Sequence, residues 1–194
     1  EDWQIGELII EPEKPIRNVN VYLLLRDRAG TAWFDNVAVM EDPRRKGNIA
    51  REASVQVDSS YTSYDAGPIN DGIAYPAEDV HWTEKAWASA ETDGPHWIEL
   101  RFDGPRTIDG AAVWWSLDGG IPRTSQEVTL RAAVDEGWMN IATVEPQEPT
   151  PRTEIRLDQP VTADRFRIYQ PAGEGPSGRP KLVWVREVEL FEAG

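Results

Sequence analysis

The sequence predicts an all-β protein, a sandwich of antiparallel strands. Three observations carry that expectation. Short runs rich in Val, Ile, Thr, Tyr, Phe and Trp recur along the 194 residues, a composition that suits a pleated, half-buried surface. Turn clusters punctuate them, among them Asp103-Gly104-Pro105, Asp118-Gly119-Gly120 and Asp135-Glu136-Gly137. No segment sustains a helical period of apolar residues, so neither a bundle nor a strand–helix alternation is expected.

In chain order, the first three strands are expected at 4–10, 19–25 and 30–39. Glu11-Pro12-Glu13-Lys14-Pro15 breaks the first from the second. Three strands with one apolar face cannot close a sandwich, and an open apolar sheet recruits a partner. Residues 1–42 therefore read as an incomplete unit. It would pair with an upstream fragment, a neighbouring domain or a second copy. Residues 43–47, Pro43-Arg44-Arg45-Lys46-Gly47, read as a linker and a site for proteolysis. The main domain is expected over 48–194. Ser54-Val55-Gln56-Val57 alternates as a strand should, and a long loop rich in Ser, Tyr, Asp and Gly runs from 58 to 85. Further strands are expected at 97–102, 111–115, 127–132, 138–144, 154–157, 165–169 and 182–191.

Composition limits the function. The formal net charge is −14. Nucleic acid and anionic membranes are poor partners, because phosphate binding needs clustered Lys and Arg. Sulfated or uronic-acid polymers are repelled at long range, although a local Arg cluster could still hold them. There is no cysteine, which excludes disulfides, zinc thiolates and thiol nucleophiles. No apolar run approaches the roughly 18 residues of a membrane span, so no membrane insertion is expected. Glu1-Asp2-Trp3 does not open a signal peptide, and the chain reads as a piece of something longer. The preference for Arg over Lys suggests a bacterial, high-GC source, and a secreted, periplasmic or cell-surface location is expected.

Catalysis has little support. His81 and His96 are the two histidines, and no Gly-x-Ser-x-Gly elbow is present. His96 follows Pro95 and opens a strand, which suits a structural role. Acid pairs abound on so acidic a chain, and none stands out as a glycosidase pair. Phosphate-loop and dinucleotide fingerprints are absent.

The main domain carries, in order, Asn48-Ile49-Ala50-Arg51-Glu52-Ala53, Ile69-Asn70-Asp71-Gly72, Trp87-Ala88-Ser89, His96-Trp97-Ile98-Glu99-Leu100 and Trp184-Val185-Arg186-Glu187-Val188-Glu189-Leu190. Together these resemble the discoidin (coagulation-factor C-type) family, a galactose-binding-like jelly-roll β-sandwich. The resemblance implies glycan binding by loops at one end of the sandwich. It also implies a structural calcium ion held by Asp71 and Glu187 with backbone carbonyls; calcium takes six to eight oxygens. The family's Thr-x-Trp-x-Ser is Lys85-Ala86-Trp87-Ala88-Ser89 in this chain, so the Lys85 ammonium is an alternative to the ion. Gly30-Thr31-Ala32-Trp33-Phe34-Asp35-Asn36-Val37 resembles the closing strand of a jelly-roll carbohydrate-binding module, with Asn36 in place of an Asp.

A sugar packs its C–H face on an aromatic ring and offers its hydroxyls to polar groups. Of nine tryptophans, Trp87, Trp97 and Trp138 fall on or beside expected strands and are read as core. Trp114 and Trp115 are neighbours on one strand, so they face opposite sides. Val113 shares the phase of Trp115, which makes Trp114 the outward ring. Tyr61, Tyr64, Tyr75, His81 and Trp82 lie in the long loop, where burial is not the default. Trp82 is the expected stacking platform, with His81 and Glu84 as polar neighbours. Arg179, in a Gly-rich loop before the last strand, offers a planar fork of donors, and Arg123 is a further loop cation. The expected function is a non-catalytic carbohydrate-binding module that targets a larger bacterial polysaccharide-processing protein to its glycan. The alternative is a structural, adhesive or accessory domain of a glycoside hydrolase or lyase with no sugar binding of its own.

Overall fold

The computed structural model describes residues 20–23, 31, 47–74, 81–135 and 137–194. The chain divides into two compact units, Glu1–Glu41 and Asp42–Gly194. In the first unit the expected strands at 4–10 and, residue 31 apart, 30–39 lie outside the described residues. Residues 20–23, inside the expected strand 19–25, are not in a strand. A strand needs a hydrogen-bonded neighbour, and none is described for them.

Among the described residues the second unit holds nine strands. They are β1 (Ser54–Val57), β2 (Trp87–Ala88), β3 (His96–Trp115), β4 (Leu117–Asp118), β5 (Ile121–Pro122), β6 (Val128–Val134), β7 (Gly137–Val144), β8 (Arg152–Gln170) and β9 (Trp184–Glu192). The helical pieces among those residues are two 3-10 turns, Ala50–Glu52 and Gly67–Asn70. The protein is an all-β antiparallel sandwich, as its sequence predicts.

Two strands that the sequence splits are continuous. The expected pairs at 97–102 and 111–115, and at 154–157 and 165–169, are the halves of β3 and β8. Asp103-Gly104-Pro105 is not a chain-reversing turn. It lies where the register between β3 and β8 shifts from Arg101 to Arg106, with a second shift between Ile108 and Gly110. Strands that change layers do so through bulges and bends of this kind. The early half of β3 pairs with β1 and with the late half of β8, which continues to β6 and β7. The late half of β3 pairs with the early half of β8 and with β9, which continues to β2. One hydrogen-bonded network thus supplies both layers.

The core lies between the layers. Ile98, Leu100, Phe166, Ile168 and Leu130 come from the first, and Val113, Trp115, Ile155, Val188 and Trp87 from the second. Burying each large apolar side chain contributes roughly 1.5–3 kcal/mol. The Trp115 indole N–H donates to Thr153 Oγ1 at 2.7 Å, so its polar edge is satisfied inside the core. In β9 the register jumps between Trp114 and Trp115, pairing them with Glu187 and Val185. This bulge at Arg186 lets Val185 and Val188, three residues apart, both face inward.

The motif residues at the start of the domain tie it shut. Asn48 Oδ1 accepts from the N–H groups of Ala50 at 3.0 Å and Leu190 at 3.2 Å. Asn70 Nδ2 donates to the carbonyls of Ala50 and Ala53 at 2.7 and 2.9 Å. The first residues of the domain, the long loop and the last strand are cross-linked by these two side chains.

Candidate functional site

The long loop, the segment before β2 and the loop before β9 meet at one end of the sandwich. Tyr61 N–H donates to Ala88 O at 2.8 Å and Tyr64 N–H to Tyr61 O at 3.0 Å. Ser63 closes this turn with a positive φ of 73°, which places the two tyrosines side by side. Ser89 N–H donates to Val183 O at 2.9 Å, docking β2 against the start of β9. In the Gly-rich loop, a Cβ on Gly175 would sit 2.5 Å from Leu182 O. Only glycine allows the loop to fold this closely under Arg179.

The result is a cavity of about 160 Å³ lined by Tyr61, Tyr64, Trp82, Ala88, Arg179, Leu182 and Trp184. Its rings meet edge to face. Tyr64 lies 4.9 Å from Trp82, 6.4 Å from Tyr61 and 6.3 Å from Trp184, centroid to centroid. Trp82 is 51% exposed, so part of its surface is open to solvent. Burial pushes the Tyr64 phenol up to about 12, which keeps its hydroxyl neutral and able to donate. The buried Trp184 indole N–H makes no hydrogen bond of normal geometry, although it lies close enough to favour the Tyr64 phenolate slightly. Arg179 Nε donates to Glu91 Oε1 at 2.7 Å, and its guanidinium carbon lies 5.9 Å from the Tyr61 ring centroid. That hydrogen bond holds the Glu91 carboxyl below its ordinary range and fixes where the Arg179 fork points.

Four of the residues singled out in the sequence, Tyr61, Tyr64, Trp82 and Arg179, are thus brought together. His81 flanks the cavity, its ring 5.3 Å from that of Trp82 and its Nδ1 2.8 Å from Thr83 Oγ1. Glu84 is exposed beside them and does not line the cavity; its N–H donates to His81 O at 2.9 Å. Tyr75 lies outside the described residues. Arg123 pairs with Asp118 across the β4–β5 hairpin. Trp184 is the ring that sequence reasoning assigns only to a strand; its position at the strand's first residue, next to the Gly-rich loop, is the signal that marks it.

Three tryptophans depart from expectation. Trp114 does face away from Val113 and Trp115, but it is 3% exposed, with the Arg152 guanidinium carbon 5.2 Å from its centroid. Strand period fixes which face a ring takes, not whether that face is open. Trp114 therefore offers no platform. Trp97 and Trp138 are not core. They are half-buried on the outer face of the first layer, where the Arg167 guanidinium carbon lies 3.9 Å from one centroid and 4.1 Å from the other.

Asp71 and Glu187 also converge. Glu187 is 1% exposed. Its Oε2 accepts from Gly72 N–H at 3.1 Å; its Oε1 is buried, and the Asp71 carboxyl lies close enough to share a proton with the Glu187 carboxyl. Burial, reinforced by the neighbouring Asp71 charge, pushes the Glu187 carboxyl up to about 9. Burial likewise raises Asp71. Among the described residues no group of three or more His, Cys, Asp or Glu side chains converges, so an ion at this point would need backbone carbonyls as well.

His96 is structural. Its Nδ1 lies 2.8 Å from Asp58 Oδ2 and its Nε2 2.9 Å from Lys181 O. Both neighbours only accept, so both ring nitrogens donate and the ring is an imidazolium. Burial works against that charge, but the hydrogen bond and charge of Asp58 outweigh it and raise the pKa.

The cavity among the end loops of this all-β sandwich is a concave, ring-lined place where a small ligand can be held. The family model of the F5/8 type C domain matches residues 52–182, and the chain belongs to this family. A comparison with curated proteins finds no significant match. Among solved structures, the chain is similar to the family 32 carbohydrate-binding module of Clostridium perfringens NanJ in complex with galactose. The identity is 15% and the TM-score 0.60, over 75% of this chain and 98% of that one. It is similar to chitosan-binding module 1 of a chitosanase/glucanase from Paenibacillus sp. IK-5, at 19% identity and TM-score 0.56, over 74% and 98%. It is also similar to SpGH29, at 18% identity and TM-score 0.59, over 78% of this chain but 29% of that one. At these identities the likeness is one of fold, and the chain spans less than a third of SpGH29.

Proposed function

We propose that the chain is a non-catalytic carbohydrate-binding module whose ligand sits in the cavity formed by Tyr61, Tyr64, Trp82, Arg179 and Trp184. The observation that carries this reading is the convergence of four aromatic rings and one oriented guanidinium on one small cavity. The exposed surface of Trp82 would carry the C–H face of a pyranose, and such ring contacts contribute roughly 0.5–1.5 kcal/mol beyond area burial. The Arg179 fork, held by Glu91, would donate to ring hydroxyls. The cavity is sized for one sugar unit, so a single site binds weakly, and the advantage comes from raising local concentration. The galactose and chitosan partners of structurally similar modules support the class of ligand without naming it. In the same reading the module delivers a larger, secreted bacterial polysaccharide-processing protein to its glycan, and residues 1–42 pair with an upstream fragment, a neighbouring domain or a second copy.

Asp71 and Glu187 fit a calcium ion. The buried Glu187 carboxyl lies directly beside a second carboxyl, that of Asp71, an arrangement that a divalent cation would stabilise. The ion would cross-link the long loop, which carries Asp71, to β9, which carries Glu187; the Lys85 ammonium is the competing cross-link.

The test is a glycan array followed by calorimetry, with wild type and Trp82→Ala, in calcium and in chelator. Binding that disappears in Trp82→Ala supports the reading. Silence across a well-populated array, with folded protein, would transfer the assignment to a structural or accessory domain.

A further inference from the structure

We propose that the outer face of the first layer is a second binding surface, for a carboxylate-bearing (uronic-acid) polysaccharide. The argument starts from register. Glu99 of β3 pairs with Arg167 of β8, which pairs with Arg131 of β6. In the adjacent row Arg101 pairs with Arg165. Side chains in register on neighbouring strands share a face about 4.8 Å apart. Four arginines are thereby gathered on one face of a chain whose formal charge is −14.

These arginines are not simply solvated. Arg167 is sandwiched between the Trp97 and Trp138 rings, and its Nε and Nη2 donate to Glu99 Oε2 at 3.1 and 2.9 Å. Glu99, 2% exposed, also accepts from Arg101 at 3.2 Å. Arg167 is therefore a positioned charge whose donors are largely committed. Arg131 differs. Its guanidinium carbon lies 3.2 Å from the Tyr169 ring centroid. Among the described residues it forms no ion pair, and its Nε is buried without a hydrogen bond. A guanidinium placed over a ring can present its Nη end to a carboxylate in two parallel hydrogen bonds. Trp97 and Trp138, both half-buried on the same face around Arg167, add ring surface for pyranose faces.

The occupant follows from charge. Arg101, Arg131, Arg165 and Arg167 exceed the acids that pair with them, Glu99 and Asp164, so the face favours an anion. A nucleic acid, with one charge per about 1.7 Å of duplex, would be repelled by the rest of so acidic a surface. A polyuronate spaces its carboxylates by whole sugars and brings aliphatic ring faces that the indoles can pack against. This surface is separate from the loop cavity and uses none of its residues.

The test is calorimetry on the full chain with an oligoglucuronate, the same oligomer after carboxyl reduction, and an oligothymidylate, at low and physiological salt. Wild type and Trp82→Ala should bind the oligoglucuronate alike, more weakly as salt rises. Arg131→Gln should bind roughly ten-fold or more weakly, the loss of a charge-assisted contact. The reduced oligomer and oligothymidylate should not bind. If Arg131→Gln fails to fold, Arg131→Lys, which keeps the charge but not the fork, should still weaken binding several-fold. The proposal is overturned by any of four results: no binding of oligoglucuronate, equal binding of the reduced oligomer, equal binding of oligothymidylate, or arginine variants that bind like wild type.

Discussion

Replacing Asp58 by Asn tests whether the buried His96 carries a charge. In wild type Asp58 Oδ1 accepts from Trp97 N–H at 2.8 Å, and Oδ2 accepts from Ser59 Oγ at 2.7 Å and His96 Nδ1 at 2.8 Å. Burial alone would raise the Asp58 pKa, but these hydrogen bonds outweigh it and lower the pKa. An Asn carboxamide can still accept from Trp97 while its NH2 turns toward His96. Nδ1 must then be the bare nitrogen of a neutral ring, with Nε2–H kept on Lys181 O. The ion pair is lost. At roughly 1.5–3 kcal/mol for a hydrogen bond to a charged group, the cost near pH 6 is about 3 kcal/mol, or roughly 6–12 °C in Tm for a domain of this size. The sign of the pH response is the sharper readout. In wild type the raised His96 pKa contributes stability that is complete below 6.5 and lost as pH rises through the folded value, at up to about 1.4 kcal/mol per pH unit. In Asp58→Asn a buried neutral ring resists protonation, so that variant gains stability as pH rises through the same region. The gap between the two should be widest near pH 6 and narrow toward pH 9. Glu187, pushed up to about 9, titrates in the same range, but it is common to both proteins and cancels in the difference. Denaturant unfolding followed by tryptophan fluorescence from pH 5 to 9, in chelator, measures the gap. Parallel curves with a constant separation would show that His96 is not an imidazolium and refute the reasoning.

Three other outcomes are expected. Trp82→Ala should abolish sugar binding on an array while leaving stability within about 0.5 kcal/mol, because the ring is half exposed; thermal melts check the second half. Calcium should raise the Tm of wild type above its value in chelator, and Glu187→Gln should remove that difference; equal shifts in both proteins would place the ion elsewhere. Gly110→Ala should destabilise by roughly 1–3 kcal/mol in urea unfolding, since the new Cβ would meet Ile155 O at 2.9 Å at the layer-changing bend.

The fold was legible because its signals are local. Strands announce themselves through period-two alternation and β-rich composition, and the expected runs at 54–57, 127–132 and 138–144 correspond to β1, β6 and β7 within a few residues. What could not be read was continuity. Asp103-Gly104-Pro105 carries the composition of a turn, and it does bend the chain. Whether a bend reverses a strand or passes it into a second layer depends on its partners. For β3 those partners are β1, β8 and β9, more than 35 residues away in sequence, and no local pattern records them.

The site divides along the same line. Tyr61, Tyr64 and Trp82 could be singled out because large rings in a loop have no default burial to explain them. Arg179 could be noticed because its loop is rich in glycine. Trp184 could not, because a ring inside a strand-forming run is explained by the core before any ligand is considered. Trp97, Trp114 and Trp138 expose the limit of that default. Each sits in a strand, yet none belongs to the core cluster. Strand period divides residues into two faces without saying what lies over either one. The face carrying Trp114 is covered, and the face carrying Trp97 and Trp138 is closed in part by a guanidinium stacked between them. Arginine is the residue able to do this, since it can cover an indole and keep its charge at the surface. An Arg on the same face as a strand tryptophan, in register with it as Arg152 is with Trp114 or diagonal to it as Arg167 is to Trp97, is therefore the pattern that separates an outer ring from a core ring. That pattern becomes readable only once the pairing of β3, β8, β6 and β7 is known.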